Sequence, residues 1–137
     1  MSARRKAREL TLKALYAYDI SGNHPEQIAE DIISPSLIKS PAKEFSRRLF
    51  FKSVETLKEL DNLIKGNVKS WDFSRIACIE KNILRIGICE FLYFDDIPST
   101  ISIDEAIELA KKYGDKDSKS FVNAVLDSVF KGLGKKK

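Results

Sequence analysis

The chain has 137 residues, of which 43% are hydrophobic and 32% are charged, which is enough apolar material for the core of one domain. No apolar run approaches the roughly 18 residues that a membrane-spanning helix needs, and no signal-type segment follows the first basic residues. We therefore expect a soluble, cytoplasmic protein with no membrane partner. The two cysteines, Cys78 and Cys89, form no CxxC pattern and are typical of buried, reduced thiols.

The positive charge is concentrated at the two ends of the chain. The sequence has 24 Lys and Arg against 20 Asp and Glu, a formal net charge of +4. Residues 1–13 alone carry +4, further lysines lie within 131–137, and the segment 14–130 is net acidic. Proteins that coat nucleic acid without specificity spread their positive charge, so this pattern indicates a localised anionic partner.

The spacing of apolar residues predicts helices along the N-terminal half of the chain. We expect them at 3–20, 25–33 and 40–66. Gly22 separates the first two. The third is expected to be one continuous helix that Ser40 caps.

Four further helical segments are expected in the C-terminal half, at 73–78, 80–94, 102–113 and 118–132. Asp72 is the expected cap of the first. Segment 80–94 is apolar almost all round, which predicts a central place in the core. Ser102 and Glu105 have the spacing of a capping box, and Asp117 is placed to cap the last helix.

No segment alternates for long with a period of two residues, so the predicted fold class is all-α with about seven helices. The whole chain, 1–137, is expected to be one domain. The connection around 67–71 is the only expected seam within it.

Residue patterns that support catalysis are missing from the sequence. His24 is the only histidine, so a Cys–His or Ser–His pair would depend on it. One histidine and two separated cysteines cannot build a Cys/His zinc site, and the glycines form no phosphate loop. We therefore expect no enzyme, no catalytic residues, no metal and no cofactor.

Arg4, Arg5, Lys6 and Arg8 form a basic cluster where the first helix begins. The helix dipole disfavours cations at this end, by about a few tenths of a kcal/mol each. Arginine forks suit phosphate oxygens and can stack on bases. Either an anionic partner such as RNA offsets the cost, or the cluster is a solvated tail that aids solubility.

The segment KKYGDKDSKSFVN combines aromatic and polar side chains around one turn between helices. Readers of single-stranded RNA pair aromatic faces with nearby cations, and Tyr113 and Phe121 could serve as those faces. The other interpretation is that both rings are core residues. The polar side chains of this segment that suit RNA are Lys112, Lys116, Ser118, Lys119 and Asn123.

Several stretches together resemble the bacterial NusB family of transcription antitermination proteins. These stretches are ARRKARELTLKALYAYDI, KNILRIGICEF with a Trp71 motif before it, ISIDEAIELAKKYG and DSKSFVNAVLD. They follow the family order nearly from end to end. The resemblance implies two small packed helical bundles, here 1–66 and 71–133. It also implies binding of boxA, a short single-stranded leader RNA, together with the ribosomal protein NusE, and action in an RNA polymerase antitermination complex on ribosomal RNA operons.

The resemblance also assigns roles to individual residues. The RNA contacts that it implies are Arg4, Arg5, Lys6, Arg8, Tyr113, Lys119, Phe121 and Asn123. The implied NusE face includes Tyr16 and Glu80, with Asp117 at the boundary between the partners. Both a monomer and a homodimer are compatible with the family.

Two departures from the family pattern are Ala124, where glycine is usual, and Asp104, where asparagine is usual. The alternatives to an antitermination factor are three. A helical adaptor would bind only proteins, and its basic ends would be solubility tails. The RNA-targeting module of a ribosomal RNA cytosine methyltransferase would need a catalytic domain for which we expect no room after Lys137. A helix-turn-helix DNA binder would need a basic recognition helix, which the sequence does not show.

Overall fold

The computed structural model describes residues 2–68 and 72–134. Predictions that involve Trp71, Lys135, Lys136 or Lys137 lie outside the described residues. Within these ranges the chain forms seven α-helices and no strand, which confirms the all-α prediction. The helices are α1 (Ala3–Ser21), α2 (Pro25–Ile28), α3 (Ser40–Glu55), α4 (Leu57–Gly66), α5 (Cys78–Tyr93), α6 (Ser99–Tyr113) and α7 (Ser118–Leu133), with a π-helical segment at Ala29–Ile33 and a 3₁₀ turn at Phe73–Arg75.

The predicted single helix over 40–66 is wrong, because the chain leaves helical geometry at Thr56. This residue has φ −109° and ψ 19°, and its hydroxyl donates to the carbonyl of Lys52 at 2.7 Å. Such back-bonding competes with the regular helical ladder. The break lets α4 pack its apolar face against α5. Ser40 lies within the first turn of α3 and Lys39 occupies the cap position, without a side-chain cap bond.

The predicted capping box at the start of α6 is also wrong. The helix begins at Ser99, and both predicted capping side chains bond to other helices: Ser102 donates to Glu90 and Glu105 accepts from Arg5. Tertiary partners therefore outweigh the local motif.

The two predicted aspartate caps have different outcomes. Asp72 accepts from the backbone N–H of Ser74 at 3.0 Å, so that cap is confirmed. Asp117 occupies the cap position of α7, but its side chain makes no cap bond, so that prediction is wrong. The Asp115 carboxylate takes part in this turn instead, by accepting from the backbone N–H of Asp117 at 2.9 Å.

The α5 helix lies at the centre of the core, as predicted. Every residue from 82 to 91 is buried, and α5 packs against α1, α3, α4, α6 and α7. A Cβ atom on Gly87 would lie 2.9 Å from Leu126 Cδ1, so glycine permits the close approach of α7. One hydrophobic core cluster contains residues from both predicted sub-bundles, and the division at 67–71 stays a prediction.

The cysteines differ in exposure. Cys89 is buried, and burial raises the pKa of its thiol to about 12. Cys78 is only half-buried, which corrects the expectation of two buried thiols, because it lies in the first turn of α5 at the edge of the core. Among the helices within the described ranges, none has the length and apolar character that a bilayer crossing requires.

Candidate nucleic-acid interface

Arg8 points into the protein. It is 3% exposed, and it donates two hydrogen bonds to the Glu90 carboxylate, from Nε to Oε2 at 2.7 Å and from Nη2 to Oε1 at 2.9 Å. Ser102 donates to the same carboxylate at 2.7 Å. This buried pair joins α1 to α5 and α6. Arg8 therefore offers little guanidinium surface to RNA in this structure and has a structural role, and its predicted contact with RNA stays a prediction.

Arg5 forms a second arginine–carboxylate pair that bridges α1 and α6. Its Nε and Nη2 donate to the two oxygens of Glu105 at 3.0 and 2.8 Å, in the fork geometry that also suits phosphate. Arg8 Nη1 lies 3.8 Å from Glu105 Oε1, so two arginines share this carboxylate. The hydrogen bond from Arg5 lowers the pKa of Glu105, and the same bond raises the pKa of Arg5.

Arg4 and Lys6 are the members of the basic cluster that face solvent. The Arg4 guanidinium lies 4.3 Å from the centroid of the Phe45 ring, a cation–π contact, and 3.9 Å from the exposed Asp96 carboxylate. Lys6 is exposed and forms no ion pair within the described part of the chain. Both cations can reach a phosphate without the loss of a buried contact.

The unfavourable placement of cations at the start of α1 is largely offset inside the protein. Arg5 and Arg8 have carboxylate partners, and the Ser2 hydroxyl caps the helix by accepting from the backbone N–H of Arg5 at 3.1 Å. An external anion is therefore not needed to explain the whole basic cluster. Accessible charge remains at Arg4 and Lys6.

Tyr113, at the end of α6, lies beside the middle of α1. The two helices contribute to a small apolar pocket lined by Leu12, Lys13, Tyr16, Ile79 and Tyr113. Tyr113 is half-buried and Tyr16 is 41% exposed. The Lys112 ammonium lies 5.5 Å from the Tyr113 ring centroid and 2.8 Å from a carboxylate oxygen of Glu9. The structure thus brings one predicted RNA contact, Tyr113, next to one predicted partner contact, Tyr16.

The other predicted RNA contacts lie in the first turns of α7. Lys119 and Asn123 are exposed, and because they are four residues apart they share one face of the helix. Phe121 is half-buried and packs against the hydrophobic core. Phe121 is therefore partly a core residue, and its stacking on an RNA base stays a prediction.

The three predicted NusE contacts lie on α1, at the start of α5 and directly before α7. The Ser118 hydroxyl donates to Glu80 Oε2 at 2.7 Å, which joins the start of α7 to the start of α5. Asp117 is exposed and directly precedes Ser118. Ile79, next to Glu80, lines the pocket that contains Tyr16. These contacts connect Tyr16, Glu80 and Asp117 through a short series of neighbouring residues.

Lys13 is a candidate that the sequence analysis did not single out. It is exposed, lines the pocket that contains Tyr113 and has no ion pair among the described residues. Lys13 follows Lys6 by two helical turns, so both lysines lie on one side of α1. The seven-residue spacing of Lys6 and Lys13 was the sequence signal that could have identified Lys13. The roles of Glu90 and Glu105 had no comparable local signal.

Comparison with known proteins identifies the family. The family model described as the NusB family matches residues 5–131. The chain belongs to the NusB family. The transcription antitermination protein NusB of Nitratiruptor sp. is 42% identical over 131 residues, which cover 96% of this chain and 94% of that protein.

Solved structures of the NusB family have the same fold. T. maritima NusB superposes with a TM-score of 0.88 at 36% identity, over 96% of this chain and 92% of that one. A crystal structure of the antitermination factors NusB and NusE in complex with dsRNA has a TM-score of 0.86 at 27% identity, over 96% and 98% of the two chains. The Nitratiruptor relative is a transcription antitermination protein, and the structure with dsRNA holds antitermination factors. The NusB resemblance and the helical fold are therefore confirmed.

Proposed function

We propose that this chain is a transcription antitermination factor that binds boxA-type single-stranded leader RNA together with NusE. The two proteins join an RNA polymerase antitermination complex in the cytoplasm and promote read-through in ribosomal RNA operons. Nearly full-length relatives that are antitermination proteins support this role. A related structure that holds NusB, NusE and dsRNA supports both the protein and the RNA partner.

The observation that carries the proposal is the exposed side of α1. Lys6 and Lys13 lie along it without ion pairs in the described part of the chain, Arg4 stands at its start, and Tyr113 flanks it. Single-stranded RNA is bound by such combinations, since cations contact the backbone and aromatic faces stack on bases. A basic segment that served only solubility would not need an aromatic ring beside its cations.

The proposed contacts divide into two surfaces. The residues that we assign to the RNA contact surface are Arg4, Arg5, Lys6, Lys13, Tyr113, Lys119, Phe121 and Asn123. Arg8 acts indirectly, because its buried pair with Glu90 fixes α1 against α5. NusE is assigned to the surface around Tyr16, Glu80 and Asp117, where carboxylates complement a basic ribosomal protein.

Fluorescence anisotropy with a labelled boxA-like RNA and a scrambled RNA of equal length tests the proposal. Each RNA is titrated with the protein, with and without NusE, at two salt concentrations. We expect a preference for the boxA-like RNA that NusE strengthens and salt weakens, because phosphate contacts release counterions. Equal, weak binding to both RNAs with no effect of NusE would contradict the proposal and favour a helical adaptor that binds only proteins.

A further inference from the structure

We propose that Glu105 competes with RNA phosphate for the Arg5 guanidinium and so limits the affinity for RNA. This inference rests on the proposed function, because it concerns one arginine of the proposed RNA surface. It assigns to Glu105 a specific role in binding, although this carboxylate does not contact RNA itself.

The competition follows from the geometry of the Arg5 fork. Nε and Nη2 both donate to Glu105, at 3.0 and 2.8 Å, so the Nε–Nη2 edge of the guanidinium is occupied. A phosphate presents a similar pair of oxygens to an arginine and can use the same edge. The phosphate therefore gains the Nε–Nη2 contact only when Glu105 gives it up, and the competition concerns this edge and not the end-on edge of Nη1 and Nη2.

The Arg5 pair is open enough for this exchange, whereas the Arg8 pair is not. The Arg5 and Glu105 side chains are 36% and 14% exposed. The Arg8 and Glu90 side chains are 4% and 1% exposed, and Ser102 also holds Glu90. Exchange at Arg8 would separate a buried carboxylate from its hydrogen-bonded cation, which is costly. Exchange at Arg5 takes place at the edge of the protein.

Glu105 keeps a cationic neighbour after Arg5 turns away. Arg8 Nη1 lies 3.8 Å from Glu105 Oε1, so the carboxylate stays beside a positive charge. The exchange therefore replaces one charge-assisted contact of Arg5 with another and strands no ion. This arrangement makes the Arg5–Glu105 pair a reversible restraint on the basic cluster.

Glu108, one helical turn after Glu105, provides a matched control. It lines the same groove as Arg5, but its carboxylate accepts a hydrogen bond from Lys111, at 3.2 Å. A Glu108→Gln variant removes the same charge from the same region and leaves the Arg5 fork occupied. It therefore separates direct competition from a general change in surface potential.

The test compares Glu105→Gln and Glu108→Gln with the unmodified protein in the boxA-like RNA titration across several salt concentrations. We expect E105Q to bind RNA about two- to fivefold more tightly, the size of an exposed ion pair converted to a ratio. The slope of log affinity against log salt concentration should be steeper for E105Q by up to about 0.7, because one more cation is free to contact a phosphate of the single strand. E108Q should change affinity and slope much less.

Several outcomes would overturn the inference. Weaker binding by E105Q would mean that Glu105 positions Arg5 for RNA, and unchanged binding would mean that Glu105 does not compete with phosphate for Arg5. An equal gain in E108Q would reduce the effect to surface potential. If the unmodified protein shows no preference for the boxA-like RNA, the proposed function itself fails, which is a separate result.

A second variant keeps the inference testable if E105Q loses its helical circular dichroism signal. Glu105→Asp retains the charge but shortens the side chain, so its carboxylate no longer reaches both nitrogens of Arg5. We expect a smaller gain in RNA affinity in the same direction. Equal or weaker RNA binding by a folded E105D would contradict the competition.

Discussion

Glu90 is the residue whose replacement tests the structural role of Arg8 most sharply. The Glu90 side chain is 1% exposed and accepts two hydrogen bonds from Arg8 and one from Ser102. Glu90→Gln keeps the volume and one acceptor oxygen, but it takes the hydrogen-bonded carboxylate away from the buried Arg8 guanidinium and leaves Glu105, 3.8 Å from Nη1, as a more distant counter-charge. Removal of one partner from a buried pair costs about 3–5 kcal/mol, and the retained oxygen places the expected loss near the lower limit, about 3 kcal/mol.

Urea unfolding followed by circular dichroism measures this loss as a shift of the transition midpoint at unchanged slope. The expected 3 kcal/mol is large against the roughly 5–15 kcal/mol that stabilises a typical domain. Glu108→Gln serves as the control, because its partner Lys111 is exposed and surface substitutions stay within about 0.5 kcal/mol. A loss below about 1 kcal/mol in E90Q would refute the argument that this pair holds α1 in place.

A double-variant cycle then tests whether Arg8 is the partner that matters. Arg8→Met alone leaves the Glu90 carboxylate buried without its cation and should cost a similar amount. The variant that carries both R8M and E90Q removes both charges and should lose much less than the sum of the two single losses. Strictly additive losses would show that the two side chains do not depend on each other.

Three further predictions concern stability and thiol chemistry. The hydrogen bond from Arg5 lowers the pKa of Glu105 in the folded protein. The contribution of Glu105 to stability is therefore complete above the pKa that Glu105 has in the unfolded chain, and it is lost as the pH falls through the pKa of the folded state. The stability difference between wild type and E105Q should accordingly shrink in urea titrations from about pH 7 to about pH 3; a constant difference would contradict this. Gly87→Ala would place a Cβ 2.9 Å from Leu126 Cδ1, and this overpacking of about 1–3 kcal/mol is offset in part by the gain of about 1 kcal/mol in helix propensity, so we expect a net loss of up to about 2 kcal/mol. Gly66→Ala meets nothing within 4 Å and should not destabilise. Equal urea midpoints for the two variants would be contrary evidence. A thiol reagent at mildly alkaline pH should modify Cys78 in the native protein. Cys89 is buried and has a pKa of about 12, so the reagent should modify it only in denaturant. Modification of both cysteines in the native protein would count against the described core.

Local patterns in the sequence predicted those elements that local interactions decide. Segment 80–94 is apolar almost all round, and this composition predicted the central helix, whose residues from 82 to 91 are all buried. Asp72 caps its turn through the N–H of Ser74, two residues along the chain. In such cases the interacting residues are close in the sequence, so the local pattern is sufficient to predict the structure.

Features that depend on distant partners could not be predicted in this way. Ser102 and Glu105 have the spacing of a capping box, but they bond to Glu90 and Arg5 instead. Arg5 and Glu105 lie 100 positions apart in the chain, and no helical period relates them. The same holds for Arg8, whose burial depends on how α1 packs on α5. The sequence pattern thus located the basic cluster but could not separate the buried Arg8 from the more exposed cations of the cluster.

RNA binding by an Arg4→Ala, Lys6→Ala double variant tests the central claim most directly, that the accessible cations of α1 hold the RNA. The control is Lys58→Ala, Lys131→Ala, which removes the same charge from exposed positions on α4 and in the last turn of α7. We predict that the first variant keeps the urea midpoint of the wild type and loses affinity for the boxA-like RNA, with a salt slope smaller by about 0.7 for each lost contact. The control should retain both affinity and slope. Equal RNA affinity in the two double variants would contradict the claim and leave the basic cluster with a structural role only.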